Sequence, residues 1–254
     1  MHDLVDSHSH IDVAAFDDDR STVIARARAA GVRRQVVPAI QASAWEPLRA
    51  LCAAEPGLHP AYGLHPMYLD AHHPDDLDAL ADRARSAECI AIGECGLDFH
   101  VEGLDRERQR FYFERQLELA RELGLPLILH ARRALDEVTA ALRRIGGLRG
   151  VVHSFSGSRE QAQQLWKLGF LIGIGGPLTY ERARRLRGIV ATMPLEYLLL
   201  ETDAPDQPLS GHRGARNEPA HLVEVLDTVA RLREVDGAVV AAATTANAVR
   251  LFGI

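Results

Sequence analysis

The sequence predicts an α/β protein with a (β/α)8 TIM barrel fold, formed as a single domain by residues 1–254. Short apolar runs typical of buried strands alternate with amphipathic helical stretches from end to end, and eight such runs are present. Histidines and acids follow several of these runs directly. An open doubly wound sheet is the rival, but its usual GxGxxG signature is absent, since a His-x-His pair stands after the first strand.

The predicted strands are continuously apolar rather than alternating, which is typical of parallel strands that are buried on both faces. In chain order they are LV before Asp6 and residues 34–40, 58–64, 89–93, 126–130, 150–153, 170–175 and 197–201.

Helix-start and helix-stop signals separate these strands. Ser43-x-x-Glu46 has the pattern of a capping box, which predicts a helix N-terminus there. The stretch 106–123 spaces apolar residues, beginning with Phe111, along one helical face and stops at Gly124.

Net charge, hydropathy and cysteine spacing exclude several classes of protein. The formal net charge of -6 argues against tight non-specific binding of duplex DNA, yet it leaves room for a cleft that binds one or two phosphates. No apolar run is long enough to span a bilayer, and the first ten residues lack the cationic and apolar regions of a secretory signal. The three cysteines form no CxxC pair. We therefore expect a cytoplasmic protein with reduced thiols, no membrane contact and no obligate protein partner.

Six histidines and acids each come directly after a predicted strand. They are His8, His10, Glu94, His130, His153 and Asp203. Taken singly, each has an ordinary explanation as a surface histidine, a loop acid or a turn residue. Catalytic groups of a (β/α)8 barrel come from the C-terminal ends of several strands, so the set together predicts one metal centre.

The number and type of ligands favour two divalent ions, Mg²⁺, Mn²⁺ or Zn²⁺, over a single catalytic zinc. Lys167 is the only lysine and lies within a predicted helix, which excludes a carbamylated lysine as the bridge between the ions. Glu94 is the hypothetical bridging ligand instead. In this hypothesis His8, His10 and Asp203 hold one ion, and His130 and His153 hold the other.

The motifs resemble those of the TatD-like family of metal-dependent deoxyribonucleases. They are VDSHSHID, AYGLHPMY, AIGECGLDF, PLILHARRA, VVHSFSGS, GIGGPLTY and LLLETDAPD. ETDAPD and GGPLTY are most similar to the less characterised hydrolase branch. The resemblance implies a barrel with two divalent ions, the same six ligands, and hydrolysis of phosphoester bonds, often as a 3′→5′ exonuclease on DNA.

Two positions depart from the family pattern. Cys95 stands where an apolar residue such as isoleucine is common, and Ser154 stands where cysteine is frequent. Ser154 is similar in size to the usual residue, and we expect Cys95 to act as a small apolar packing residue.

The hypothetical mechanism uses a water activated by the ions, with Asp203 as general base and Glu94 as the second catalytic carboxylate. Arg132 is predicted to contact a phosphate, because a guanidinium matches phosphate geometry bidentately. His65, at the end of the third strand, is predicted to contact a phosphate or protonate the leaving oxygen. The substrate is then DNA or another phosphoester bound at the barrel mouth.

Two other classes stay open at this point. One is an amidohydrolase or lactonase on the same scaffold, since fold does not determine the reaction. The other is a non-enzymatic metal-binding protein, which a full ligand set makes hard to explain.

Weaker signals lie outside these motifs. Arg182, Arg184, Arg185 and Arg187 form a basic cluster. A solvated helix face is the favoured explanation, and guidance of a nucleic-acid strand is the alternative. His72 and His73 are expected to be exposed. Asp6 is expected to orient a ligand or to cap a turn.

Overall fold

The computed structural model describes residues 2–254 and contains eight short strands that alternate with helices. The strands are β1 (Leu4–Asp6), β2 (Val32–Pro38), β3 (Leu58–Ala61), β4 (Ile92–Asp98), β5 (Leu127–Arg132), β6 (Gly150–Val152), β7 (Phe170–Ile174) and β8 (Leu198–Leu200).

The helices follow the strands in the predicted order. They are α1 (Arg20–Ala29), α2 (Trp45–Ala54), α3 (Asp76–Ala84), α4 (Arg106–Leu123), α5 (Leu135–Ile145), α6 (Arg159–Lys167), α7 (Arg184–Thr192), α8 (Leu222–Arg233) and α9 (Gly237–Phe252). Within residues 2–254, no helix has the length and apolar character needed to cross a membrane.

The chain divides into two compact units. The first comprises the chain up to Val37, Ser154–Arg159 and Leu171–Ile254. The second comprises Pro38–His153 and Glu160–Phe170. The expectation of a single domain over residues 1–254 stays a prediction.

Parallel pairing organises the first unit. β1 pairs with β2, and β7 pairs with β8, both in parallel. The backbone N–H of Ser7 donates to the carbonyl oxygen of Leu200 at 3.0 Å. The first and last strands of the chain are therefore neighbours in this unit.

The second unit has the same kind of pairing. β4 pairs with β5 and β5 pairs with β6, again in parallel, and a parallel bridge between Tyr62 and Ile92 joins the end of β3 to β4. β4 and β6 are buried along their whole length, and the apolar start of β5, Leu127–Leu129, is buried as well.

The fourth strand lies later in the sequence than the apolar pattern predicts. We expected it at 89–93, with Glu94 after its end, but β4 spans Ile92–Asp98 and Glu94 lies inside it. The polar and glycine residues of IGECGLD are typical of a loop, so the apolar pattern did not predict a strand there. In the structure the carboxylates of this strand are buried and contact histidine side chains rather than solvent.

Two expectations about helices were wrong. Ser43 does not cap α2. It lies within a 3₁₀ turn at Ala42–Ala44, and the helix begins after Ala44 without a side-chain cap. Phe111 is 47% exposed. Helical spacing places Phe111 on the side of α4 opposite its buried residues, which include two glutamines, Gln109 and Gln116.

These two glutamines bind backbone next to the site described below. The side chain of Gln116 accepts from the N–H of Leu64 at 2.8 Å and donates to its carbonyl oxygen at 3.1 Å. Gln109 makes the same pair of bonds with Asp98, at 2.8 and 2.9 Å. Residues seven apart share a helix face, so α4 holds the end of β4 and the segment after β3 with one face.

Gly96 allows β4 and β5 to approach closely. Its φ is +146°, and a Cβ at this position would lie 2.0 Å from the carbonyl oxygen of His130. Both the backbone conformation and the contact require glycine.

We expect Gly96→Ala to lower the free energy of unfolding by at least about 3 kcal/mol, since the new methyl group meets rigid backbone at a φ unfavourable for alanine. Urea denaturation followed by circular dichroism measures this. Gly188→Ala is the control, because Gly188 lies in α7 with no atom within 4 Å of its added Cβ. That variant should be more stable by roughly 0.5–1 kcal/mol. Equal stability of Gly96→Ala and the unchanged protein would contradict the steric argument.

Candidate metal centre

One group of possible metal ligands lies in the first unit and consists of His8, His10 and Asp203, here called the first cluster. The Nε2 atoms of His8 and His10 are 3.1 Å apart. Oδ1 of Asp203 lies 3.5 Å from Nε2 of His8 and 3.7 Å from Nε2 of His10. Two imidazole nitrogens and a carboxylate oxygen are thus near enough for one divalent ion to bind all three.

Backbone hydrogen bonds between the ends of β1 and β8 bring these side chains together. The N–H of Asp203 donates to the carbonyl oxygen of His8 at 2.9 Å, and the N–H of His10 donates to that of Ala204 at 2.8 Å. Asp203 itself has a φ of +57°. This left-handed conformation is uncommon for a residue other than glycine and is typical of functional positions.

Asp6 lies beneath the first cluster and holds both of its backbone segments. It is fully buried and accepts from the N–H of His8 at 3.2 Å, the N–H of Thr202 at 3.0 Å and the hydroxyl of Thr202 at 2.5 Å. Burial raises the pKa of Asp6 to about 7, against the lowering effect of these hydrogen bonds. Asp6 therefore orients the ligand-bearing backbone and does not belong to the cluster.

Sequence reasoning missed Gln207. Its side-chain amide donates to Oδ2 of Asp203 at 2.5 Å and to the hydroxyl of Ser154 at 2.7 Å. Gln207 therefore fixes Oδ2 by a hydrogen bond, while Oδ1 faces the imidazoles of His8 and His10. The position of Gln207, four residues after Asp203, is only a weak sequence signal for this role, because a loop glutamine is ordinarily exposed.

Four residues in the second unit, here called the second cluster, meet at one oxygen. Oε1 of Glu94 lies 3.0 Å from Nε2 of His65, 3.0 Å from Nδ1 of His130 and 2.8 Å from Nε2 of His153. His65, Glu94 and His130 each offer a ligand atom within a space that suits one ion. Glu94 is 2% exposed, so water does not screen this carboxylate.

The protonation of His130 shows what the second cluster requires. Nε2 of His130 lies 2.9 Å from Oδ2 of Asp98, which can only accept, so Nε2 carries the proton of a neutral ring. Nδ1 then presents a lone pair to Oε1 of Glu94 at 3.0 Å. Two acceptors at this distance need a proton or a metal cation between them.

The pKa of His130 reflects the same arrangement. Burial alone would lower it, but hydrogen bonds with Asp98 and Glu94 raise it above its ordinary value. The donor set of imidazoles and carboxylates, with lone pairs directed at one another, fits Zn²⁺, Mn²⁺ or Mg²⁺.

Asp98 is a second residue that sequence reasoning missed. Burial alone would raise the pKa of Asp98, but hydrogen bonds from His130 and the N–H groups of Val101 and His100 lower it below its ordinary range. It therefore stays ionised and fixes the His130 ring. The LDF sequence after the Glu94 motif was its signal, since a carboxylate commonly binds the second nitrogen of a metal-ligating histidine.

His65 holds Glu94 in this structure. The N–H of Met67 donates to Nδ1 of His65 at 3.2 Å, so the ring proton is on Nε2 and donates to Glu94. Burial lowers the pKa of His65 to about 4, although Glu94 opposes that shift, so the ring is neutral near pH 7. The predicted contact of His65 with substrate stays a prediction.

His72 was expected to be exposed, and this was wrong. It is 1% exposed, its Nε2 lies 2.9 Å from the carbonyl oxygen of His65, and its ring packs edge-on against Tyr112. A 3₁₀ helix at Pro66–Ala71 turns the chain back, which places His72 beneath His65. His73 is exposed, as expected.

Two other predicted positions lie outside the clusters. Arg132 ends β5 with an exposed side chain, and its guanidinium makes no ion pair with any residue between 2 and 254. Cys95 is fully buried next to Glu94, and burial raises the pKa of its thiol, so the thiol stays protonated and packs as an apolar group. The predicted role of Arg132 stays a prediction.

The structure thus places all six predicted metal ligands in the two clusters. His8, His10 and Asp203 form the first, and Glu94, His130 and His153 lie in the second together with His65. Their role as ligands, and that of Glu94 as a bridge, stay predictions.

Comparisons with known proteins agree with the sequence motifs. A family model described as TatD related DNase matches residues 5–253. The uncharacterized metal-dependent hydrolase YjjV of Escherichia coli K12 is 40% identical over 254 residues, which cover 99% of this chain and 98% of YjjV. The 3′-5′ ssDNA/RNA exonuclease TatD of Klebsiella pneumoniae strain 342 is 37% identical over 250 residues, 94% of each chain.

A solved structure extends the likeness to three dimensions. The crystal structure of YjjV, a TatD homologue from Escherichia coli K12, matches with a TM-score of 0.95 at 38% identity and covers 99% of this chain and 98% of its own. The predicted fold class, α/β with a (β/α)8 TIM barrel, is confirmed by this match.

We expect Thr202→Val to lower the free energy of unfolding by about 2 kcal/mol, because it removes a hydrogen bond to a fully buried carboxyl oxygen of Asp6 without changing side-chain shape. Thr192→Val is the matched control: Thr192 is exposed, and its loss should cost less than about 0.5 kcal/mol. Urea denaturation of both variants measures the difference. Equal costs at the two positions would mean that Asp6 does not depend on Thr202.

Proposed function

The chain belongs to the TatD related DNase family, and from this premise we propose that it is a divalent-metal-dependent nuclease that removes nucleotides from the 3′ end of single-stranded nucleic acid. Family membership makes it a hydrolase. The finer assignment is supported by the Klebsiella pneumoniae relative, which bears the name of a 3′-5′ ssDNA/RNA exonuclease.

The observation that carries this proposal is the approach of Nδ1 of His130 to Oε1 of Glu94 at 3.0 Å. A cation is the partner that satisfies both atoms while leaving the imidazole neutral. We propose that His8, His10 and Asp203 hold one divalent ion, and that Glu94, His130 and His153 hold a second. Bound divalent ions would polarise the phosphoryl oxygens and lower the pKa of the attacking water.

Asp203 is the proposed general base. Gln207 donates to its Oδ2 atom, so the carboxylate is fixed with Oδ1 toward the imidazoles of His8 and His10. A base must lie in hydrogen-bond reach of the proton that it removes, and a fixed carboxylate meets that need without reorganisation.

Glu94 and Arg132 have complementary proposed roles. Glu94 is held by His65 and lies among three imidazoles, which suits a carboxylate that binds metal rather than substrate. Arg132 is exposed at the end of β5 without a carboxylate partner among the described residues, so its guanidinium is available to a phosphate. The cytoplasmic location inferred from composition stays a prediction.

The reaction is tested with metal-reconstituted protein and a single strand labelled at either end. Removal of nucleotides from the 3′ end releases a 3′ label first and shortens a 5′-labelled strand one nucleotide at a time, and EDTA should abolish this. Glu94→Ala is the negative control. Cleavage of a lactone or amide panel, with no cleavage of either strand, would contradict the proposal.

Asp203→Asn tests the base. We expect kcat to fall at least about 100-fold while the bound metal, measured by elemental analysis of the purified protein, stays present, because the amide cannot accept the proton. Full turnover with metal bound would assign the proton to another group.

Asp98→Asn tests the support of His130. The amide can no longer fix the Nε2–H tautomer through a charged hydrogen bond, so we expect metal affinity at the second cluster to fall about 10–100-fold. Isothermal titration with Mn²⁺ or Zn²⁺ measures this. Asp105→Asn is the control, since the side chain of Asp105 caps α4 and accepts from the backbone N–H groups of Glu107 and Arg108.

A further inference from the structure

An exposed cationic patch lies in the first unit, here called the arginine patch. Arg182 and Arg213 lie over the ring of Tyr180, and exposed Arg184 lies at the start of α7. None of these guanidiniums has a carboxylate partner within residues 2–254. Glu181 is the acid within this stretch of sequence, and no ion pair joins it to a described arginine.

Arginines on other helices behave differently. Arg110, Arg115 and Arg144 lie on α4 and α5, and each is paired with a glutamate of the same or the neighbouring helix. In a chain with a net charge of -6, an uncompensated group of guanidiniums creates a local positive potential that the total charge conceals.

Tyr180 organises the patch. The guanidinium carbon of Arg182 lies 5.2 Å from the centre of the Tyr180 ring, and that of Arg213 lies 4.9 Å from it. The two arginines are distant in sequence but share one aromatic ring. Contact with the ring restricts their motion, so less conformational entropy is lost when an anion binds.

The patch is joined to the loop that carries Asp203. The hydroxyl of Tyr180 donates to the carbonyl oxygen of Pro208 at 2.8 Å, and the N–H of Ser210 donates to the hydroxyl of Thr179 at 2.8 Å. Pro208 follows Gln207, whose amide holds Asp203 at 2.5 Å. The anchoring of Tyr180 therefore places the guanidiniums beside the segment that fixes the proposed base.

We propose that the arginine patch binds phosphate groups of a single-stranded nucleic acid beyond the bond that is cleaved. This inference rests on the proposed function, because it assumes that the strand reaches Asp203. A guanidinium binds phosphate bidentately, and an aromatic ring beside it offers a face to an unpaired base. A solvated helix face would account for Arg184, but it would not account for two guanidiniums from separate segments on one ring.

Binding of a 5′-fluorescein-labelled dT20 strand, followed by anisotropy in EDTA, tests the patch without hydrolysis. We expect the double variant Arg182→Gln, Arg213→Gln to bind about tenfold more weakly than the unchanged protein at 50 mM NaCl. The slope of log K against log salt should become shallower by about 1.4, or about 0.7 for each of two phosphates.

The matched control is Arg85→Gln, Arg115→Gln. It makes the same change in net charge at two exposed arginines that are already ion-paired with carboxylates. Its affinity and salt slope should equal those of the unchanged protein. Thermal unfolding of all three proteins should coincide, because every substituted side chain is exposed.

Three results would overturn the inference. The first is equal weakening in both double variants, which would mean a general charge effect. The second is no measurable binding of dT20 by the unchanged protein. The third is equally tight binding of a 20-residue polyglutamate, which would assign the patch to an acidic protein. If dT20 binding depends on the patch but neither labelled strand is cleaved after metal reconstitution, the proposed function fails while the patch stands.

Discussion

The second cluster depends on the approach of two hydrogen-bond acceptors, Nδ1 of His130 and Oε1 of Glu94, at 3.0 Å. Asp98 keeps the ring proton of His130 on Nε2, so the lone pair of Nδ1 points at Glu94. A buried site that directs lone pairs and negative charge at one point is costly unless a positive charge occupies that point. A proton satisfies the pair below the raised pKa of His130, and a divalent ion satisfies it when the imidazole is neutral.

The surrounding residues keep this arrangement from relaxing. Gln109 and Gln116 of α4 bind the backbone beside Asp98 and His65, and Gly96 lets β4 approach His130 more closely than any other residue would. Asp6 performs the comparable task in the first cluster by binding the backbone on both sides of it. Ligand atoms that are held on rigid elements lose little conformational entropy when an ion binds. This explains why several buried hydrogen-bonding side chains surround a small number of ligands.

Charge is distributed unevenly over this protein. Each cluster contains one carboxylate, and other carboxylates form ion pairs along the helices, whereas the guanidiniums of Arg132, Arg182 and Arg213 have no carboxylate partner among the described residues. A metal-dependent nuclease needs both features, because acids must hold the cations and separate cations must hold the polyanionic substrate. The net charge of -6 is therefore a poor guide to what the surface near Asp203 binds.

The sequence by itself determined the fold class and most of the two clusters. Apolar runs of strand length are largely local signals, so seven of the eight strands were predicted near their observed bounds, and the histidines and acids at their ends marked the site. The position of β4 was missed because its polar residues are buried by contacts with distant side chains. Only the tertiary structure revealed the tasks of Asp98, Gln207 and His72, since the value of a hydrogen-bonding side chain depends on which partner the fold brings to it.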